Sequence, residues 1–184
     1  MTQSEFIDRL ELDLNDLLKT VRVRFFEQPM EVLTLRTETD QWNALECFAH
    51  LNAQFDYYLP HIDRALHKAK ARKWLAVPER QSNWMGRRAI RSVDPANRTI
   101  HPRKSAKIID PLKLLQVRDN ELKIFLINLE MMLRLVRQAR EVDLNRPTIK
   151  PMRWNISSFV LGDLLEYLVL HAQRHLLQAG ARVA

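Results

Sequence analysis

Apolar residues recur at intervals of three or four positions along four segments of the chain. This spacing places them on one face of an α-helix, because the helix completes a turn every 3.6 residues. No segment shows the alternation of apolar and polar residues that is typical of a half-buried strand. The pattern therefore predicts an all-α protein with four long helices, at about residues 4–27, 43–73, 112–142 and 158–179.

Residues near the ends of these segments have the properties of helix caps and breakers. Ser4 is the predicted N-cap of the first helix, and Asp40 or Asn43 is the predicted N-cap of the second. Gly180 follows the last helix, at a position where a left-handed backbone favours glycine. Pro60 lies inside the second helix and predicts a kink or a break there, because proline cannot donate to the helical ladder.

Residues 74–110 show no sustained helical period and are rich in arginine and proline. We interpret them as a long irregular connection between the second and third helices. A connection of this length within a compact domain is usually functional or mobile. The four amphipathic helices favour a four-helix bundle that forms a single domain over residues 1–184.

The positive charge of the chain is concentrated in this connection. The 184 residues have a net charge of +7, whereas Lys70 to Lys107 alone contain eleven basic and two acidic residues. One interpretation is a basic loop that covers a pocket and attracts an anionic small-molecule substrate. The alternative is a module that contacts nucleic acid through phosphates and through Trp74 and Trp84; nucleic acid is the less favoured partner.

Several classes of protein are disfavoured by composition. Only three glycines are present, and neither a GxGxxG nor a GxxxxGK phosphate-binding motif occurs. The apolar runs are interrupted by charges before they reach the length of a membrane span. A single cysteine, Cys47, cannot form an internal disulfide and fits a reducing compartment. The N-terminal segment is acidic and amphipathic, unlike a secretory signal, so we expect a cytoplasmic protein.

The last helix carries two histidines, His171 and His175, on its apolar face. Their spacing of four residues stacks the rings on one side of the helix, where two imidazoles can bind a divalent metal. Two buried core histidines are the alternative interpretation. Ala172 occupies the position of the glutamate in the HExxH motif of metalloproteases, which argues against that chemistry.

A third ligand has to come from another segment. The candidates are His50, His61, His67, His101 and Cys47. A solvated position is the simpler interpretation for His61, His67 and His101, and a core position for Cys47.

Two segments resemble the DinB/YfiT-like superfamily of metal-dependent enzymes. WNALECFAHLNAQFDYYL, residues 42–59, is similar to the family's tryptophan that is followed eight residues later by a His-Leu pair. LGDLLEYLVLHAQRHLLQA, residues 161–179, is similar to its closing helix with H-x-x-R-H-x-x-Q. The order and spacing of the predicted helices match the family over nearly the whole chain.

The resemblance implies a four-helix bundle with one histidine ligand on helix two and two on helix four. In this sequence they are His50, His171 and His175. Family members bind nickel, zinc or other divalent ions there, some activate a low-molecular-weight thiol for transfer or isomerisation, and several form homodimers. The chain is thus predicted to be a metal-dependent S-transferase or hydrolase.

Polar residues one turn from the predicted ligands are candidates for the pocket. Gln54 and Tyr57 on helix two and Tyr167 on helix four could orient a substrate or donate a proton. Two alternatives remain open at this point. The chain could be a dimeric bundle without catalysis, or a module that binds anions or nucleic acid through the basic loop.

Overall fold

A computed structural model of the chain describes residues 1–36, 38, 41–97, 107–113, 115–152 and 158–183. The helices are α1 (Gln3–Arg24), α2 (Met30–Thr34), α3 (Ala44–Ala71), α4 (Trp84–Val93), α5 (Glu121–Ala139) and α6 (Leu161–Gly180). A 3₁₀-helix spans Lys107–Ile109, and β1 (Thr148–Ile149) pairs antiparallel with β2 (Phe159–Val160). The prediction of an all-α protein is confirmed.

The four long helices bury a common apolar core. α3 packs against α5 and α6, and α1 packs against the same two helices. The largest fully buried side chains lie in α1, α3 and α5 and at Phe25, the C-cap of α1. They include Phe6, Phe48, Phe55 and Phe125. Burial of each such ring contributes roughly 1.5–3 kcal/mol relative to exposure. Among the described residues, no helix is both long and apolar enough to cross a membrane.

The N-termini of α1 and α3 are both fixed by a capping box. Thr2, rather than the predicted Ser4, caps α1: its hydroxyl accepts from the Glu5 N–H at 3.2 Å, and the Glu5 carboxylate accepts from the Thr2 N–H at 2.8 Å. Ser4 already lies inside the helix, because only Thr2 has a glutamate three residues later. Asn43 and Glu46 form the same motif in α3. Asp40, the other predicted cap, is outside the described residues.

α3 continues through Pro60 without a break. Of the two alternatives predicted there, a kink or a break, the break is wrong. The proline removes the hydrogen bond to the Asp56 carbonyl, and both residues are exposed, so that water can replace the missing donor. Leu59 and Ile62, on either side, are buried in the core. Packing therefore outweighs the local preference of proline.

Gly180 is the last residue of α6, and no described glycine has a positive φ. The prediction of a left-handed residue at this position is wrong. A Cβ at Gly180 would lie 3.0 Å from the guanidinium of Arg24, which donates to the Gly180 carbonyl at 3.4 Å. Glycine here allows a close approach between α1 and α6.

The predicted third helix begins nine residues too early. Residues 112–120 precede α5, and the Asp110 carbonyl accepts from the N–H groups of Lys113 (2.9 Å) and Leu115 (3.3 Å). These bonds form a turn after Pro111. α5 starts only at Glu121, several residues after this turn, with Asn120 as its N-cap.

The prediction that residues 74–110 are irregular is wrong for thirteen of them, because the ten residues of α4 and the three of the 3₁₀-helix lie within this segment. Asn83 caps α4 by accepting from the Gly86 N–H at 2.7 Å. The fully buried carboxylate of Asp163 on α6 binds the Asn83 N–H at 3.0 Å and the Arg80 guanidinium at 2.5 Å. Arg80 also pairs with Glu166 at 2.8 Å. α4 is thus fastened to the first turns of α6.

Candidate metal centre

The packing of α3 against α6 brings three histidines together in the interior. His50 lies in the second turn of α3, and His171 and His175 lie on successive turns of α6. One ring nitrogen from each residue lies within 4.8 Å of the other two. All three side chains are buried, with between 3% and 8% of their surface exposed.

The Nδ1 atom of each imidazole faces an oxygen that can only accept a hydrogen bond. The three bonds join His50 Nδ1 to the Ile109 carbonyl (2.8 Å), His171 Nδ1 to Gln54 Oε1 (2.9 Å) and His175 Nδ1 to Gln178 Oε1 (3.0 Å). Nδ1 must therefore carry the proton in each ring, which leaves a lone pair on Nε2.

The Nε2 atoms of His171 and His175 are 2.9 Å apart. With both protons on Nδ1, two lone pairs point towards one another, and a cation near them would relieve their repulsion. Burial lowers the pKa of His50 to about 4 and the pKa values of His171 and His175 well below the usual value. All three rings are therefore neutral near pH 7, which is the form that coordinates a metal. Three imidazole nitrogens suit zinc, nickel or copper ions.

Aromatic rings cover two sides of the histidine cluster. The indole of Trp42 stacks on His175, with ring centres 5.6 Å apart, and contacts His50 at 4.8 Å. Its N–H is hydrogen-bonded to Asp110, which follows the 3₁₀-helix. Tyr167 stacks on His171 at 5.5 Å with an angle of 16° between the rings.

Two of the three predicted pocket residues contact the cluster. Gln54 accepts from His171 and is also hydrogen-bonded to the Tyr167 hydroxyl. Burial raises the pKa of Tyr167, so its phenol stays protonated and can donate a proton but not accept one at neutral pH. Tyr57, two turns after His50 on α3, instead contacts Tyr58 and His61.

The remaining ligand candidates lie elsewhere. His61 is hydrogen-bonded to the Tyr57 carbonyl at 2.7 Å, and His67 is exposed, 3.6 Å from Asp63. Cys47 is fully buried, and burial raises the pKa of its thiol to about 12, so it has no thiolate character. His101 is outside the described residues.

Three residues with a place at this site were not predicted to have one. Trp42 stood in the motif that suggested the family, but its stacking on the histidine cluster was not expected from it. Ile109 contributes only a backbone carbonyl, for which a sequence has no signal. Asp110 ends the basic segment, where its link to Trp42 depends on the tertiary fold.

A sequence model of the DinB superfamily matches residues 9–179 of the chain. The chain therefore belongs to the DinB superfamily, and the predicted resemblance is confirmed. Comparisons with curated proteins and with solved structures gave no match.

Proposed function

We propose that His50, His171 and His175 bind one divalent metal ion and that the chain is a metal-dependent enzyme. The observation that carries this proposal is the set of three Nδ1–H bonds to Ile109, Gln54 and Gln178, which leaves Nε2 as the ring atom with a lone pair in each histidine of the cluster. Such outer partners fix the tautomer and orientation of metal-binding histidines.

The residues around the triad suit transfer or hydrolysis at a site that is partly closed to water. When bound, a divalent ion supplies Lewis acidity, and three protein ligands leave coordination positions open for a substrate, a water or a thiol. Tyr167 can donate a proton to a leaving group. Trp42 and Tyr167 exclude water from two sides of the cluster.

No described carboxylate at the triad is placed to act as a general base. Asp110, the acidic residue that interacts with His50, already binds the Leu112 N–H (3.1 Å), Lys113 (2.9 Å) and Trp42. Chemistry in which the nucleophile needs no protein base, such as thiol-dependent S-transfer, is therefore favoured over hydrolysis. A nickel or zinc ion, a low-molecular-weight thiol, a small anionic substrate, a homodimer and a cytoplasmic location remain parts of this proposal that rest on the family resemblance and on composition.

Elemental analysis of protein purified without a histidine tag tests the proposal. We expect about one divalent ion per chain after incubation with zinc or nickel and removal of the unbound ion. His50→Ala, His171→Ala and His175→Ala should each lose most of it. His67→Ala is the matched control, since His67 is exposed on α3 and should leave the metal content unchanged.

The proposal would be contradicted if the wild-type protein took up neither zinc nor nickel. It would also be contradicted if the triad variants bound as much zinc or nickel as wild type. Circular dichroism of the variants separates loss of the ligand from loss of the fold.

A further inference from the structure

α4 is divided into two opposite faces. Its buried and half-buried side, which packs on α6 and β2, consists of small and aliphatic residues, whereas its exposed side carries three arginines and a tryptophan. The exposed residues are Trp84, Arg87, Arg88 and Arg91. Their spacing of three, four and seven positions places them along one line of the helix. We call these four residues the cationic face.

The cationic face has a fixed orientation, because α4 is anchored at its N-terminus. Asn83 caps the helix and donates to the Ser158 carbonyl at 3.1 Å, and its own N–H binds the buried Asp163. A Cβ at Gly86 would fall 1.8 Å from Asp163 Oδ2, so only glycine allows this approach. The guanidinium groups are therefore held on the side opposite to α6.

The charges of the cationic face are not neutralised within the described part of the chain. Eight other arginines pair with carboxylates: Arg9, Arg22, Arg36, Arg80, Arg118, Arg137, Arg140 and Arg146. No described carboxylate lies within ion-pair distance of Arg87, Arg88 or Arg91, and α4 itself contains no acidic residue. Arg87 donates to the Ser82 carbonyl, and Arg88 lies over the Trp84 ring, 5.9 Å from its centre.

We propose that the cationic face of α4 binds single-stranded nucleic acid. Arg91 follows Trp84 by seven positions, a length of about 10 Å along the helix, which matches about three nucleotides stacked at 3.4 Å. The three guanidinium groups can contact phosphates along this length. Trp84, 70% exposed, offers a ring on which a base can stack.

Two other anionic partners fit the surface less well. A membrane-surface helix inserts an apolar face between the lipids, whereas the apolar side of α4 is already buried against α6. A small anion bound at the histidine cluster would not reach the cationic face, which points away from α6. The cationic face is therefore separate from the proposed metal centre, and binding at this face does not depend on a metal ion.

Fluorescence anisotropy with a short labelled polythymidylate strand tests the proposal at low ionic strength. The variant with Arg87, Arg88 and Arg91 all changed to Gln should bind at least tenfold more weakly than wild type. The slope of log affinity against log salt should be about −2 for wild type, the value for three contacts with a single strand. In this triple variant the slope should lie close to zero. Trp84→Ala should weaken binding about tenfold, and Trp84→Phe should restore most of it.

A second triple variant, with Arg64, Lys123 and Arg134 changed to Gln, is the matched control. These residues are exposed on α3 and α5, and their loss changes the net charge by the same three units. It should bind the strand as wild type does. Equal weakening in both triple variants, no weakening in the α4 variant, equal affinity for a duplex, or binding to phosphatidylserine vesicles but not to the strand would each overturn the proposal.

Discussion

Gln54 on α3 is hydrogen-bonded to two residues of α6 at the histidine cluster. Its side-chain oxygen accepts from His171 Nδ1 at 2.9 Å, and the same amide is hydrogen-bonded to Tyr167. Gln54 stands one turn after His50 on α3, whereas both of its partners lie on α6. A single amide on α3, the helix that carries His50, thus fixes the tautomer of His171 on α6.

Replacement of Gln54 by Leu should weaken metal binding about 10- to 100-fold, because His171 loses the acceptor that orients its ring. Gln54→Glu retains an acceptor and should bind the metal at least as tightly as wild type. Competition with a chromophoric chelator measures both affinities. Gln138→Leu, at a half-buried glutamine on α5, is the control. An affinity of Gln54→Leu within twofold of wild type would show that this bond does not support the site.

At the scale of the elements, α4 is attached to α6 through one buried carboxylate. Asp163 binds Arg80 and the backbone of Asn83, and Gly86 packs directly against it. A buried charge of this kind is stable only while its partners remain. The position of α4 should therefore be sensitive to small changes at this contact.

Gly86→Ala should displace α4, since the new methyl group would overlap Asp163. We expect a loss of about 1–3 kcal/mol in the free energy of unfolding, measured with urea, as is typical for overpacked sites. Trypsin should cleave after the arginines of α4 faster than in wild type. Trp84→Ala, on the exposed face of the same helix, should leave both measurements unchanged; an unchanged cleavage rate in Gly86→Ala would mean that α4 is not held by this contact.

The long helices could be predicted from the sequence, whereas α4 could not. The long helices were predicted because many apolar residues repeat along them, which averages out local exceptions such as Pro60. α4 has ten residues, and its docked side consists mainly of Gly86, Ala89, Ile90 and Val93, which give a weak pattern among prolines and arginines. Its stability comes from Asp163, almost 80 residues later in the chain.

The same distinction applies to the site. His171 and His175 could be paired from their spacing alone, and His50 was added by resemblance to the family. The Ile109 carbonyl and the Trp42–Asp110 hydrogen bond could not be predicted, because they depend on the path of the chain between α4 and α5. Periodicity in a sequence predicts faces of helices, but not which loop closes over them.

The whole molecule is organised around one continuous core, which includes residues of α1, α2, α3, α5, α6 and both strands. The histidine cluster lies at the packed surface between α3 and α6, so that a bound ion would join two of the core helices. A ligand that binds only the folded state stabilises it in proportion to its concentration. Metal binding and global stability should therefore be linked.

Metal-free protein is expected to unfold in urea in a single transition, seen equally by circular dichroism and tryptophan fluorescence, as the single-domain proposal requires. Zinc or nickel at a hundred times its dissociation constant should add about 2.7 kcal/mol. His175→Ala should unfold similarly without metal but gain no stability from it. Separate transitions for the two probes would contradict a single domain, and an equal gain in His175→Ala would place the stabilising ion elsewhere.

The composition of the triad has a further consequence, which concerns electroneutrality. The three side chains are uncharged imidazoles, so a divalent ion would bring both of its positive charges into the interior without compensation. Asp110, the nearby acidic side chain, is already balanced by Lys113. An ion bound by these three imidazoles would therefore favour a negatively charged further ligand, and the search for substrates and inhibitors should begin with thiolates, carboxylates and small inorganic anions.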